Sequence, residues 1–204
     1  MKILKFSLGQ LQANCYLIIK DNKCLIFDPG DSADFISEKI ITLKLKPLGI
    51  FATHGHFDHI LAVGELQRIF DIPFYLPKKD FFIFKRAKET ADYYLKINSE
   101  TVDPKKINFL INKKIKISNF LFKVIDTPGH TPGAVCYYFE EENFLLTGDT
   151  IFNNGVGRFD FSYSSKRDLK KSLNKLFKLP IKTVIYPGHG DLTTIKEEKN
   201  RNLI

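Results

Sequence analysis

All five histidines of this 204-residue chain fall in short segments rich in glycine, threonine and aspartate. Thr53-His54-Gly55-His56-Phe57-Asp58-His59 holds three imidazoles and a carboxylate. Thr127-Pro128-Gly129-His130 and Pro187-Gly188-His189-Gly190 hold the other two histidines, and Thr147-Gly148-Asp149-Thr150 is a similar segment built on an aspartate. Neutral imidazole with carboxylate suits zinc, iron or manganese better than calcium or magnesium. His54, His56, Asp58, His59, His130, Asp149 and His189 are seven candidate ligands, more than one tetrahedral ion needs. They divide naturally into two sites sharing one carboxylate, and two ions about 3.5–4 Å apart would activate a water and polarise a substrate oxygen together. The spacing puts His54 and His56 on one side of an extended loop. Asp58 and His59 are expected to open a helix whose N-terminus favours the aspartate's charge. Glycines at 55, 129, 148, 188 and 190 are expected to let the backbone approach closely.

The elements that must position these groups follow from the apolar pattern. Ile3–Ser7, Asn14–Ile19 and Lys23–Phe27 are predicted strands, with Asp21-Asn22 as a turn. Ser32 is placed to cap a helix carrying Phe35, Ile36, Ile40, Ile41 and Leu45, which Pro47 stops. A buried strand over Leu48–Ala52 then runs into the histidine cluster, and Asp58–Phe70 fits a helix. Residues 71–112 are least regular, with a helix expected from Pro77-Lys78-Lys79-Asp80 to about Leu95; its aromatic residues, Tyr93 and Tyr94 among them, are candidates for a lid over 78–97. Strands follow at Ile115–Ile117, Leu121–Ile125, Ala134–Phe139 and Phe144–Thr147. Ser165–Phe177 is an amphipathic helix, Thr183–Tyr186 a strand and Thr193–Asn202 a closing helix. Each ligand segment therefore follows a strand and sits on a loop held by a sheet, where chemistry usually lives. The order suggests a four-layer α/β/β/α arrangement in one domain over 1–204.

Composition removes several classes. A 44% hydrophobic content with 19 phenylalanines fits a packed globular protein. No apolar run approaches the roughly 20 residues of a membrane span, and no signal-peptide layout precedes Ile3, so a cytoplasmic location and no membrane contact are expected. Cys15, Cys24 and Cys136 form no CxxC pair; Cys15 and Cys136 read as buried thiols. The net charge of +8 comes from scattered lysines without a nucleic-acid-binding signature, so no nucleic-acid partner is expected. Such a mild field is compatible with an anionic small substrate.

Taken in order, THGHFDH, TPGHTPG, TGDT and PGHG resemble the metallo-β-lactamase superfamily, and within it short glyoxalase II-like (hydroxyacylglutathione hydrolase-like) proteins. The resemblance spans about Asn14 to Asp191. It implies the αββα sandwich, with His54, His56 and His130 on a first metal, Asp58, His59 and His189 on a second, and Asp149 bridging. It also implies zinc, two ions per chain, with iron or manganese as alternatives. β-Lactamases with a zinc-binding cysteine carry it where Asp149 stands, which disfavours antibiotic hydrolysis. Flavodiiron proteins carry glutamate where His56 stands. Only about fifteen residues follow His189 here, so the contacts that a helical extension makes to glutathione in longer glyoxalase II enzymes are not expected.

The implied activity is hydrolysis of a thioester, such as an S-2-hydroxyacylglutathione, with Asp58 orienting the attacking water as well as binding metal. Gly155-Val156-Gly157-Arg158-Phe159-Asp160-Phe161 resembles a GRxDF sequence shared with persulfide dioxygenases, which makes a mononuclear-iron dioxygenase the alternative. Lactone or other ester hydrolysis would use the same site. Arg158 is expected either to orient a substrate anion or to brace its loop by pairing with Asp160.

Overall fold

A computed structural model describes residues 1–96, 101–201 and 203–204. The chain forms two units, Met1–Leu110 and Ile111–Ile204. In the first, strands β1 (Lys2–Leu8), β2 (Ala13–Lys20), β3 (Lys23–Phe27), β4 (Lys46–Phe51), β5 (Phe74–Leu76) and β6 (Ile107–Phe109) form one sheet in that order. It is antiparallel from β1 to β3 and parallel from β3 to β6. Helices α1 (Ala33–Thr42), α2 (Val63–Phe70), α3 (Phe81–Phe84) and α4 (Ala87–Leu95) lie between the strands in sequence. Cys15 and Leu17 of β2 join a core with Ile36 and Ile40 of α1 and Val63 and Leu66 of α2. Their alternates Tyr16 and Ile18 are buried as well, and burial on both faces explains why β2 shows an unbroken apolar run.

Three local expectations need correction. Ser32 has a left-handed backbone, and its hydroxyl donates to Asp31 instead of accepting from α1. Pro47 does not stop α1. The helix ends at Thr42, Lys44 turns the chain with φ 51°, and Pro47 lies inside β4 beside a register irregularity, where a missing N–H is tolerated. Nor is Asp58–Phe70 one helix: Phe57–His59 is a single 3₁₀ turn, and α2 starts at Val63.

The cause of that break is tertiary. The Ala62 N–H bonds to the Pro29 carbonyl at 3.1 Å, and Gly30 packs against the same turn. A Cβ on Gly30 would stand 1.6 Å from the Asp58 carbonyl oxygen, so only glycine allows this approach. A three-residue turn offers Asp58 no helix dipole of consequence.

The stretch 71–112 contains the short strands β5 and β6, neither of which is visible as a periodicity. The helix expected from Pro77 to Leu95 is a 3₁₀ turn at Lys78–Asp80 followed by α3 and α4. Residue 97, the end of the suggested lid, lies outside the described residues.

In the second unit β7 (Lys114–Ile117), β8 (Phe120–Asp126), β9 (Val135–Phe139), β10 (Phe144–Gly148), β11 (Val184–Pro187) and β12 (Thr193–Thr194) form a second mixed sheet. Only β10 and β11 are parallel. Helix α5 (Lys166–Leu176) is capped by Ser165 Oγ, which accepts from the Asp168 N–H at 3.2 Å. Leu173 and Leu176 bury against Cys136, Leu145 and Ile185. The closing helix is shorter than expected, α6 (Ile195–Lys199), because Thr193 and Thr194 pair with β11 instead. Asn202, its expected end, lies outside the described residues. All three cysteines are buried, Cys24 included. Burial pushes the Cys24 thiol up to about 12; it raises Cys15 well above the usual range too, helped by the negative charge of Asp28.

Candidate metal centre

In the first unit the ligand-type residues hang from an aspartate that the sequence reading missed. Asp28, buried at the end of β3, accepts the Thr53 N–H on Oδ1 at 2.7 Å and the Thr53 hydroxyl on Oδ2 at 2.8 Å. Having given its proton to Asp28, the Thr53 hydroxyl accepts from His54 Nδ1 at 3.0 Å. That leaves the His54 lone pair on Nε2, which lies 3.0 Å from His56 Nδ1. His59 faces Asp28 Oδ2 with Nδ1 at 3.3 Å and Asp58 Oδ2 with Nε2 at 3.6 Å. A second missed carboxylate, the buried Asp80, accepts the Gly55 N–H at 3.0 Å and so fixes the turn between His54 and His56. The sequence reading gives Asp28 no role in the site. Its one sequence signal was its place at the C-terminal end of an apolar strand, where sites in α/β sheets gather.

The second unit brings His130, Asp149 and His189 together. His130 Nδ1 lies 2.7 Å from the Arg158 carbonyl oxygen. A carbonyl only accepts, so Nδ1 carries the hydrogen and the lone pair is on Nε2, 3.6 Å from Asp149 Oδ2. His189 Nε2 is 3.8 Å from the same carboxylate oxygen. The His130 loop is tied to α5: Ser165 N–H donates to the Gly129 carbonyl, the Ser164 hydroxyl to the His130 carbonyl and the Ser172 hydroxyl to the Pro128 carbonyl, at 2.7–2.8 Å. The Gly188 N–H donates to the Gly148 carbonyl at 2.8 Å, fastening the turns that carry His189 and Asp149 side by side. Gly157 packs between two of the three: a Cβ there would stand 2.0 Å from the Asp149 carbonyl oxygen and 2.9 Å from His130 Nδ1.

The glycines behave unequally. A Cβ on Gly55 or Gly129 would meet Asp80 at 2.7 Å or Leu169 at 2.4 Å, as close approach requires. Gly190 has open space around it and serves its left-handed turn, φ 72°, instead. Arg158 spends its guanidinium on Asp160, in two bonds of 2.9 Å, and lies over the Phe161 ring. That pairing holds the Asp160 carboxyl below its ordinary range.

The donor chemistry of the imidazoles and carboxylates suits a metal ion. Nitrogen–oxygen separations of 3.6–3.8 Å are too long for hydrogen bonds. They approach the roughly 3.3 Å between two ligands of one tetrahedral ion with bonds of about 2.0–2.1 Å. The Thr53 hydroxyl on His54 Nδ1 and the Arg158 carbonyl on His130 Nδ1 leave the lone pair of each ring on Nε2. These are His/Asp groups able to hold a metal ion.

A family model described as the metallo-beta-lactamase superfamily matches residues 8–189. The chain belongs to the metallo-β-lactamase superfamily. Its relatives include the probable metallo-hydrolase YqgX of Bacillus subtilis (strain 168), 35% identical over 99% of this chain and 96% of the relative. The hydroxyacylglutathione hydrolase GloC of Haemophilus influenzae (strain ATCC 51907 / DSM 11121 / KW20 / Rd) is 34% identical over 94% of this chain and 92% of its own length. Among solved structures, BLEG-1 B3 metallo-beta-lactamase superposes with a TM-score of 0.90 at 35% identity, covering 98% of both chains. TTHA1623 in a di-iron-bound form gives 0.89 at 33% identity, again covering 98% of both.

The two mixed sheets flanked by helices are thus the metallo-β-lactamase fold, as expected, and the superfamily is one of metallo-hydrolases. Among the described residues no helix is long and apolar enough to cross a membrane.

Proposed function

We propose that this chain is a metal-dependent thioester hydrolase acting on S-2-hydroxyacylglutathione-type substrates, and that both units form one metallo-β-lactamase-like domain. One family model running through residues 8–189 supports the second point. The donor set carries the first: imidazoles beside carboxylates on strand-end loops, with outer groups fixing which nitrogen of His54 and His130 bears the lone pair. The 34% identity to GloC supports the choice of ester. In this reading His54, His56 and His130 hold one ion, Asp58, His59 and His189 another, and Asp149 both; zinc is the favoured metal, with iron or manganese as alternatives.

Such ions, when bound, lower the pKa of water toward about 7 and polarise a carbonyl oxygen. Asp58 accepts a hydrogen bond from the attacking water and aligns it. Asp28 and Thr53 keep His54 and His59 in orientation, and the Arg158 carbonyl does the same for His130. A thiol, with an ordinary pKa near 8.5, leaves as thiolate, so the chain needs no strong general acid. Arg158 is the candidate for steering an anionic substrate, by releasing Asp160.

The second reading is a mononuclear-iron persulfide dioxygenase, which the GRxDF segment Gly157-Arg158-Phe159-Asp160-Phe161 supports; the di-iron-bound form of TTHA1623, at 33% identity, bears only on iron as an alternative to zinc. Elemental analysis of protein purified without added metal, run alongside S-lactoylglutathione hydrolysis, separates the two. About two zinc-type ions with turnover supports the hydrolase; one iron without turnover, and oxygen uptake with glutathione persulfide, supports the dioxygenase. Asp149→Ala is expected to abolish turnover and strip metal, and full activity with retained metal would overturn the ligand assignment.

A further inference from the structure

Glu198 is wholly buried in the short helix α6, and nothing in the chemistry above uses it. Its Oε1 accepts the Thr193 hydroxyl at 2.6 Å and Arg201 Nη1 at 2.7 Å; its Oε2 accepts the Asn154 N–H at 3.0 Å. Arg201 also donates to Asn153 Oδ1 at 3.0 Å, and Asn153 Nδ2 to the Leu192 carbonyl at 3.2 Å. Thr193 opens β12, the strand that receives the chain after His189. Asn153-Asn154 is the turn that receives it after Asp149, closed by the Phe152 N–H on the Gly155 carbonyl at 2.8 Å. One carboxylate therefore grips the exits of two ligand loops whose entries are already joined by the Gly188–Gly148 hydrogen bond. The same turn sets the Phe152 ring edge-on to His189, with centroids 6.0 Å apart and planes at 88°.

A buried carboxylate is costly to desolvate and stabilises little against an apolar residue of similar size, even when fully bonded. What it supplies is fixed geometry: three donors from three segments allow one arrangement of the two loops. We propose that Glu198 is a positioning residue for the metal centre, setting His189 against Asp149 and so determining how tightly the ion held by His189 is bound. This rests on the reading that Asp149 and His189 are ligands.

The test is a cobalt(II) titration of the chelator-stripped 204-residue chain, followed by visible absorption and elemental analysis, with thermal melts of the same samples. Wild type is expected to take two ions. Glu198→Ala is expected to keep the first and to lose the second by roughly 10–100-fold in affinity, the range for losing an outer-shell partner. Glu198→Gln, which keeps one acceptor oxygen, should fall between them. Leu176→Ala, a core truncation in α5 outside the ligand loops, controls for lost stability: it should lower the melting temperature and leave the second ion's affinity alone. Glu198→Ala binding both ions as tightly as wild type, however far its melting temperature falls, overturns the brace alone. A wild type that takes a single ion overturns the dinuclear reading and the brace with it.

Discussion

The imidazole of His130 is held by the main chain of Arg158: Nδ1 lies 2.7 Å from the Arg158 carbonyl oxygen, while the guanidinium of the same residue is bonded twice to Asp160. The GRxDF segment thus reaches the site through its backbone. The Arg158 side chain pairs with Asp160 here, the bracing arrangement that substrate steering would have to release.

This separates Arg158 from its neighbour Gly157. Arg158→Ala removes an exposed pair and leaves the carbonyl in place, so metal content and melting temperature should stay near wild type. Gly157→Ala puts a methyl 2.0 Å from the Asp149 carbonyl, a backbone atom with nowhere to go. It should cost about 1–3 kcal/mol, as other overpacked positions do, and lower metal content in parallel. Urea denaturation and elemental analysis of both variants check the contrast; equal behaviour would refute it.

Thr53 links Asp28 to His54 through one hydroxyl. Thr53→Val keeps the shape, removes a donor from a buried carboxylate and removes the acceptor for His54 Nδ1–H. We expect a loss of about 1–3 kcal/mol from the unmet buried polar groups and a roughly 10–100-fold weaker metal affinity. Thr53→Ser should restore most of both. A valine variant that binds metal normally would show that His54 needs no outer partner.

Cys24 and Cys15 hold their protons harder in the folded chain than in the unfolded one. Their contribution to stability is complete below the ordinary thiol value of about 8.5 and is lost as pH rises toward the folded value, about 12 for Cys24. Within that window each thiol should remove about 1.4 kcal/mol per pH unit. Urea midpoints at pH 7, 8.5 and 10 for wild type and Cys24→Ala measure the share of Cys24; an equally steep alkaline decline in both would assign the loss elsewhere. In the folded chain at pH 8 none of the three thiols should react with a bulky disulfide reagent.

Legibility in the sequence followed the range of the interactions involved. The helix expected over Ser165–Phe177 rests on neighbours three and four residues apart and forms at Lys166–Leu176, and the strands expected over 3–27 and 115–147 form as well. This order of elements suggests two sheets faced by helices, and the resemblance carried by the ligand segments implies the fold itself. The histidine cluster was visible because ligand chemistry restricts residue type. Asp28 and Asp80 were missed because they act on Thr53 and Gly55, each 25 residues away, which no local pattern records. The helix expected from Asp58 failed for a similar reason: Pro29 and Gly30 pin the Phe57–His59 turn from a distant segment. β5 and β6 are three residues each, too short to show a period of two, and exist because the parallel sheet continues through them.

Tyr94 and Tyr93, side by side on α4, should behave differently. Tyr94 lies nearly parallel to Phe57, with centroids 6.3 Å apart and planes at 20°, and Phe57 is buried in the turn that carries Asp58 and His59. Tyr93 is 79% exposed and meets Tyr94 edge-on. Truncating Tyr94 to alanine should therefore cost about 0.5–1.5 kcal/mol through the lost aromatic pair and loosen the turn beneath it. Tyr94→Phe, which keeps the ring, should not. Tyr93→Ala should stay within about 0.5 kcal/mol of wild type, as surface substitutions do. If these rings pack and do not close over substrate, KM for S-lactoylglutathione is unchanged in Tyr93→Ala. A raised KM in that variant with an unchanged melting temperature would instead give Tyr93 the lid role that its sequence position suggested.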